Sequence, residues 1–189
     1  MGRSVLYMSM SLDGFIAGPN VADNNGLGDH GSRLHEWLFP AEGAVNTQIV
    51  DEFMSTGAVL VGRGTFEPAN GWDGDHHGGV PIWVISRHPA PTWVSSMSLV
   101  HYTDEIETAF GDATSAAGSH NVLVHGAHVA QRAIAAGVLD EMEIHVVPVL
   151  LGAGRRLFDH LGVDHRELER TRVLVGDGGV THLRFRIRR

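Results

Sequence analysis

The sequence predicts an α/β domain: a mixed, mostly parallel central sheet flanked by helices, with an antiparallel hairpin at its C-terminal edge. Three observations carry this reading. Short aliphatic and β-branched runs alternate along the chain with segments whose apolar residues recur at helical spacing, the pattern of parallel strands joined by crossover helices. Val122, Leu123 and Val124 stop at Gly126, and Val129, Ala133 and Ile134 then follow at helical intervals, so a glycine marks a strand-to-helix turn. The chain closes with two strand-like runs around Gly176-Asp177-Gly178-Gly179, where Leu183, Phe185 and Ile187 alternate with polar residues as in a hairpin.

Each element has its own signal. Ser4 to Ser11 reads as a buried opening strand, and Asp13-Gly14 as the turn that ends it. Residues 18–31, rich in Gly, Asn and Asp, are too polar for core and long enough to be a functional lid or a surface excursion. Asn46 is placed to cap a helix with Ile49, Val50, Phe53 and Met54 on its apolar face and Gly57 at its end. Ala58 to Gly62 is the next strand. Pro81 to Ser86 follows, opened by a proline that cannot donate to a ladder, and Leu99 to Tyr102 is a weaker strand. Asp104 with Glu107 spells a capping box for a helix through Ala117. The helix after Gly126 stops at Gly137, and Glu143 to Leu151 then reads as a strand apolar on nearly every side chain. The hairpin pairs Arg172 to Val175 with Val180 to Ile187, and with no repeat or linker the chain reads as a single domain over residues 1–189.

Composition removes several function classes. With no cysteine among 189 residues there is no disulfide framework, no Cys-based zinc site and no thiol nucleophile, which fits a reducing compartment. The N-terminus reads as a strand rather than a signal peptide, and no apolar run approaches the roughly 20 residues that span a bilayer, so a cytoplasmic protein without membrane contact is expected. A formal charge of -8 opposes general nucleic-acid binding. It leaves room for a small anion, because screening confines charge effects to about 8–10 Å at ordinary salt. Thirteen histidines invite a metal reading. His76-His77 are adjacent and His125 with His128 straddles the glycine turn, there is no HExxH, and no metal is expected. GxSxG and the Walker lysine are likewise missing, which removes the usual hydrolase nucleophile and phosphate clamp.

Backbone N–H groups at the start of the helix after Gly126 have no intrahelical partner, and with the macrodipole they offer a place for a phosphate or an amide oxygen. Four separated segments extend this: SLDGFIAG at 11–18, VGRGTFE at 61–67, VISR at 84–87, and the HGAH turn followed by LDE and PVLLGAGRRLF, with THLRFRI closing the chain. Together they resemble the dihydrofolate reductase-like superfamily, in the branch resembling the C-terminal reductase domain of bacterial riboflavin biosynthesis deaminase-reductases. The resemblance covers essentially the whole chain. It implies a mixed sheet flanked by helices, NADPH as hydride donor, and a cleft for a pterin, pyrimidine or flavin precursor.

Residue by residue, the resemblance puts Ile16 and Ala17 beside the nicotinamide and the turn Gly126, Ala127, His128 and Val129 at the pyrophosphate. Many relatives carry a double glycine where this chain has Gly126-Ala127. Gly62, Arg63, Gly64 and Thr65 end a strand with exposed N–H groups, a hydroxyl and a guanidinium that can fork onto phosphate oxygens, and Ser86-Arg87 repeats this at the adenosine end. Catalytic carboxylates have no clear match: Asp13, Asp29 and Glu36 are the candidates, although a residue placed like Asp13 more often serves as a turn residue bonding its own backbone. Trp37 and Trp72 are candidates to wall a substrate ring, or simply to pack. Relatives of this branch commonly pair, and Glu143 to Leu151 with the hairpin offer apolar strands needing cover, so a homodimer is expected. The competing reading is a nucleotide- or flavin-binding protein that keeps the fold without turnover.

Overall fold

The computed structural model describes residues 2–23, 25–162 and 165–188. In chain order the elements are β1 (Ser4–Ser11), β2 (Phe15–Ala17), α1 (Gly43–Met54), β3 (Ala58–Gly62), α2 (Arg63–Phe66), β4 (Ile82–Ile85), β5 (Val100–Thr103), α3 (Ile106–Ala117), β6 (Val122–His125), α4 (Ala127–Ala136), β7 (Glu141–Val147), β8 (Arg155–Arg156), β9 (Leu168–Val175) and β10 (Thr181–Ile187). One eight-stranded sheet runs β5-β4-β3-β6-β1-β7-β10-β9, and β2 pairs with β8 as a separate two-stranded sheet. β1 is parallel to both β6 and β7, while β10 is antiparallel to β7 and β9.

β3 and β4 are buried along their whole length because helices or loops cover both faces, which is why they read as unbroken AVLVG and IWVI. β1 divides its side chains by pleat. Leu6 and Met8 join the core under α3 and α4, and Val5 and Tyr7 join the opposite one, against which Phe53 of α1 packs. Each buried Val or Leu in these layers is worth about 1.5–3 kcal/mol of burial.

The face toward α1 is polar in part, and register explains how. Tyr7 lies opposite Glu143, Glu143 opposite Arg184, and Arg184 opposite Arg172, so one row crosses four strands. Arg172 binds Glu143 at 3.0 Å and Glu52 of α1 at 2.7 Å, and Arg184 binds Glu141 at 2.8 Å. Burial raises the pKa of Glu143 against the pull of Arg172 and Arg184. The neighbouring row sets Ser9 opposite His145 and His145 opposite His182.

Four expected boundaries shift. The strand expected at 143–151 is β7, and it stops before Pro148, which has no N–H for a ladder. Both of its edges are paired, by β1 and β10, so it needs no partner chain. The first hairpin strand starts earlier, at Leu168. Asn46 does not cap α1: the helix starts at Gly43, and Asn46 is buried inside it, bonded to His182 and to the Asp177 carbonyl. Asp104 and Glu107 form no capping box, because the N-cap is Glu105, whose N–H donates to Thr103 Oγ1. The 18–31 loop is tied by Asp29, which accepts from Asn20 and Asn25.

Candidate functional site

The C-terminal ends of β3, β4 and β6 open on a cleft of about 330 Å³, at the edge where open α/β sheets present ligands. Its floor is the Gly126 turn. Gly126 has φ 91 and ψ 149, a conformation nearly reserved to glycine, and an added Cβ would lie 2.6 Å from Thr65 Oγ1. The backbone therefore passes directly under the VGRGT turn, and α4 begins there with no side chain capping its first N–H groups. Around this uncapped terminus stand Arg63, Arg87, Arg132 and Arg155. Every cation in the chain is an arginine, since it contains no lysine. Arg63 pairs with Glu67 at 3.1 Å, Arg132 donates to the Asp104 carbonyl, and Arg155 donates to the Gly64 carbonyl at 2.8 Å. Arg87 makes no ion pair or hydrogen bond among the described residues. Partial burial, then Arg132 and Arg87, lower the pKa of His128. In an acidic protein this is a concentrated positive patch aimed at a phosphate-sized site.

Arg155 also borders a second groove of about 640 Å³, which shares Ala127 and His128 with the first and runs past Gly18 to Val21 and Gln131. The two form one channel over the start of α4. Its far side is lined by Arg155 and Arg156 of β8, while the paired strand β2 lies behind and lines neither groove. Arg156 lies over the Phe15 ring at 4.3 Å and donates to the Asp13 carbonyl. Ile16 and Ala17 are buried, and Ile16 belongs to the core beneath α4.

On the α1 side of β1, a small cavity of about 50 Å³ is walled by rings: Tyr7, Trp37, Phe53, His35, His125 and His145, with Ser9 and Ile49. His125 directly precedes Gly126, so one step of backbone separates this cavity from the cleft. Its histidines are neutral. Burial lowers His35, takes His125 to about 4, and takes His145 well below 6.5, with the neighbouring His182, His35, His125 and Arg172 adding to the effect. Hydrogen bonds assign their protons. His125 Nδ1 faces the Tyr7 carbonyl, which only accepts, so Nδ1 carries the hydrogen and Nε2 is bare. Asn46 donates through Nδ2 to the Asp177 carbonyl and accepts from His182 Nε2, so His182 Nδ1 accepts from His145 Nδ1 and His145 Nε2 is bare as well. Tyr7 OH and His35 Nδ1 are buried with no hydrogen-bond partner among the described residues.

The candidate residues distribute unevenly. Gly62, Arg63, Gly64, Thr65, Ser86, Arg87, Gly126, Ala127 and His128 converge on the cleft; Val129 packs in the core just behind, and the Ser86 hydroxyl is engaged within its own turn with His88. Trp37 lines the cavity, its Nε1 donating to Ser9. Trp72 stands one ring further out, against His76 and Phe66, on a left-handed run from Asn70 to Asp73. The carboxylates lie elsewhere. Asp13 accepts from Ser11 Oγ and from the N–H groups of Leu151 and Gly152, which hold it at about 2, so it carries no proton near neutrality. Glu36 is exposed and pairs with Arg33, and Asp29 is spent on its loop. Sequence reasoning passed over Arg132, Arg155, Tyr7, His35 and His145, which only strand pairing and the α4 face bring into place. No group of three histidine or acidic side chains is arranged to hold a metal, and no helix is long and apolar enough to cross a membrane, among the described residues.

Sheet order, the terminal antiparallel pair and the cleft over α4 define the dihydrofolate reductase-like α/β class. The dihydrofolate reductase of Enterococcus faecalis, complexed with NADP(H) and RAB-propyl, aligns with a TM-score of 0.61 at 14% identity, covering 100% of this chain and 98% of its own. A protein of Shewanella sp. PV-4, provisionally named for riboflavin biosynthesis, aligns at 0.70 with 20% identity over 99% of both chains. More particularly, the family model of the RibD C-terminal domain matches residues 5–182, and the chain belongs to that family. Protein YwjB of Bacillus subtilis (strain 168), itself uncharacterized, is 28% identical over 167 residues, 84% of each chain.

Proposed function

We propose that the protein is an NADPH-dependent reductase of a small nitrogen heterocycle of pterin, pyrimidine or flavin-precursor type, working in the cytoplasm. The observation that carries this reading is the arginine-lined channel over the uncapped start of α4, whose turn residue Gly126 directly follows His125 of a ring-walled cavity. When bound, NADPH supplies the hydride. Arg63, Arg87, Arg132 and the α4 N–H groups hold its phosphates, the β8 side of the channel shields the reacting end from water, and the cavity orients the ring to be reduced. Calorimetry with NADPH, followed by loss of NADPH absorbance with dihydropterin, aminopyrimidine and flavin-precursor substrates, tests it. Absence of NADPH binding would overturn the reading. The competing reading, a nucleotide- or flavin-binding protein without turnover, draws support from the lack of any carboxylate among the cavity-lining residues. Binding without consumption of NADPH on every substrate would favour it.

The two nicotinamide cofactors are expected to differ. Arg87, with no ion pair or hydrogen bond among the described residues, is placed to meet a 2′-phosphate. A charge-assisted contact is worth about 1.5–3 kcal/mol, so Arg87→Ala should weaken NADPH about 10- to 100-fold and leave NADH almost unchanged, as read by calorimetry. Arg63→Ala should act in the same direction. Equal wild-type affinity for the two cofactors would show that neither arginine reads the phosphate.

We further propose a homodimer, through the end of the sheet where Leu12, Phe39, Leu150 and Val175 stand 68, 74, 70 and 73% exposed. Leu12, Leu150 and Val175 lie at or just beyond the C-terminal ends of β1, β7 and β9, and Phe39 follows Trp37 by two residues. Light scattering is expected to return twice the 20.4 kDa chain mass, falling toward one chain in a Leu150→Asp, Val175→Asp variant. A wild-type mass of one chain at micromolar concentration ends the idea.

A further inference from the structure

Asp13 lines neither groove of the channel, yet an unbroken set of contacts runs from it to the arginine that borders both. The Ser11 hydroxyl, at 2.6 Å, and the N–H groups of Gly152 and Leu151, at 2.8 and 3.1 Å, all donate to its carboxylate and keep it ionised. Its main-chain carbonyl accepts from Arg156, whose guanidinium covers the Phe15 ring, and the Leu157 N–H donates to the Gly14 carbonyl at 3.1 Å. Between these anchors the 149–157 loop runs hard against β2, since a Cβ added at Gly154 would collide with the Ala17 carbonyl oxygen. The loop has one place to lie, and from it β8 presents Arg155 to the channel. Arg155 donates to the Gly64 carbonyl at 2.8 Å, and a Cβ built on Gly64 would stand 3.5, 3.6 and 3.8 Å from its Nη1, Nη2 and Cζ, so the guanidinium lies flat on the VGRGT turn. Apart from that bond it has no ion pair or hydrogen bond among the described residues, which leaves most of its N–H donors for a ligand.

We propose that Asp13 is a positioning residue for phosphate binding: by fixing the 149–157 loop it holds Arg155 across the channel, where that guanidinium meets the linked phosphates of the ligand. The inference rests on the reading of the channel as a site for a nucleotide's phosphates, and adds to it a residue outside the channel. Its consequence runs against simple electrostatics. By charge alone, removing a carboxylate near an anion site strengthens anion binding. By placement, removing it weakens binding, because Arg155 loses the support that aims it. In Asp13→Asn the side chain keeps its size, but its NH2 group only donates and is set against one of the three donors that Asp13 accepts. The loop must then shift, and Arg155 shifts with it.

Inorganic pyrophosphate is the primary probe, titrated by calorimetry into the full-length protein, its Asp13→Asn and Arg155→Ala variants and the double variant, with NADPH as the second titrant. Each single variant is expected to weaken pyrophosphate about five- to tenfold, and the double variant no further than Arg155→Ala alone, a coupling between two residues that share no hydrogen bond or ion pair. A merely structural Asp13 would lower the melting temperature and leave the affinity of the folded protein unchanged. Asp13→Glu is the second variant, and it serves if Asp13→Asn folds poorly: it keeps the charge but is one methylene too long for the same loop, so it too should weaken pyrophosphate. Tighter binding by Asp13→Asn, additive losses in the double variant, or no binding of pyrophosphate by the unmodified protein would each overturn the inference. Failure of NADPH to bind while pyrophosphate binds and the coupling holds is a separate result, and it strikes the reductase reading alone.

Discussion

Between pH 7 and about pH 5 the folded protein is expected to lose a large part of its stability. The cause is a set of histidines buried as neutral rings. Burial takes His125 and His182 from 6.5 to about 4, and burial with the neighbouring His125 and His77 takes His76 to about 2. A folded-state pKa below the unfolded one means that the unfolded chain takes up protons first. The contribution of each ring is therefore complete above about pH 6.5 and is lost as pH falls from there toward the folded value. For a ring displaced to about 4, roughly 2 kcal/mol is gone by about pH 5, and two such rings remove about 4 kcal/mol from a total of about 5–15. Urea unfolding at the two pH values measures the difference directly. His182→Gln should lower stability modestly at pH 7, by removing the bond to Asn46, and flatten the pH slope by about one histidine's share. Equal stability at both pH values would show that these rings gain protons in the folded state as easily as in the unfolded chain.

Much of the architecture is legible in the amino-acid order because parallel strands buried on both faces leave a dense apolar record. Ala58 to Gly62 and the turn at Gly126 need no tertiary information. The phosphate side of the site is legible for the same reason: Gly62, Arg63, Gly64 and Thr65, and then Gly126, stand at strand ends where local backbone chemistry already favours an anion. Asn46 shows where this stops. Its residue type suits a cap, yet His182, 136 positions away, offers a buried donor, and that long-range bond places it inside the helix. The ring-walled cavity is illegible for a similar reason. Tyr7, His125 and His145 come from three different strands and share a face only through their register in the sheet, and His35 joins them from the 31–35 turn. Histidines spread over a sequence suggest metal ligands before they suggest a neutral acceptor wall. Asp13 shows the converse: a carboxylate near the expected reaction centre is consumed by the N–H groups of Leu151 and Gly152, which no local pattern announces.

Replacing Gly126 is expected to damage the cofactor site more than any other single change to the backbone. At φ 91 and ψ 149 a side chain is strained by about 1–3 kcal/mol before any contact is counted. The Cβ of an alanine would then stand 2.6 Å from Thr65 Oγ1, so the turn or Thr65 must move. Either movement redirects the N–H groups that begin α4, and those groups together with the VGRGT turn are the proposed phosphate cradle. Gly126→Ala should lower the unfolding free energy by about 2–4 kcal/mol and weaken NADPH at least about tenfold, through geometry rather than through charge. Gly137 provides the control. It closes the same helix at φ 71, with nothing within 4 Å of an added Cβ, so Gly137→Ala carries a left-handed backbone penalty of about 1–2 kcal/mol and no contact with the cleft. Its NADPH affinity should equal that of the unmodified protein. If both variants lose stability and both keep full affinity, the pyrophosphate lies somewhere other than the start of α4, and the channel lined by Arg63, Arg87, Arg132 and Arg155 must hold its ligand without that turn.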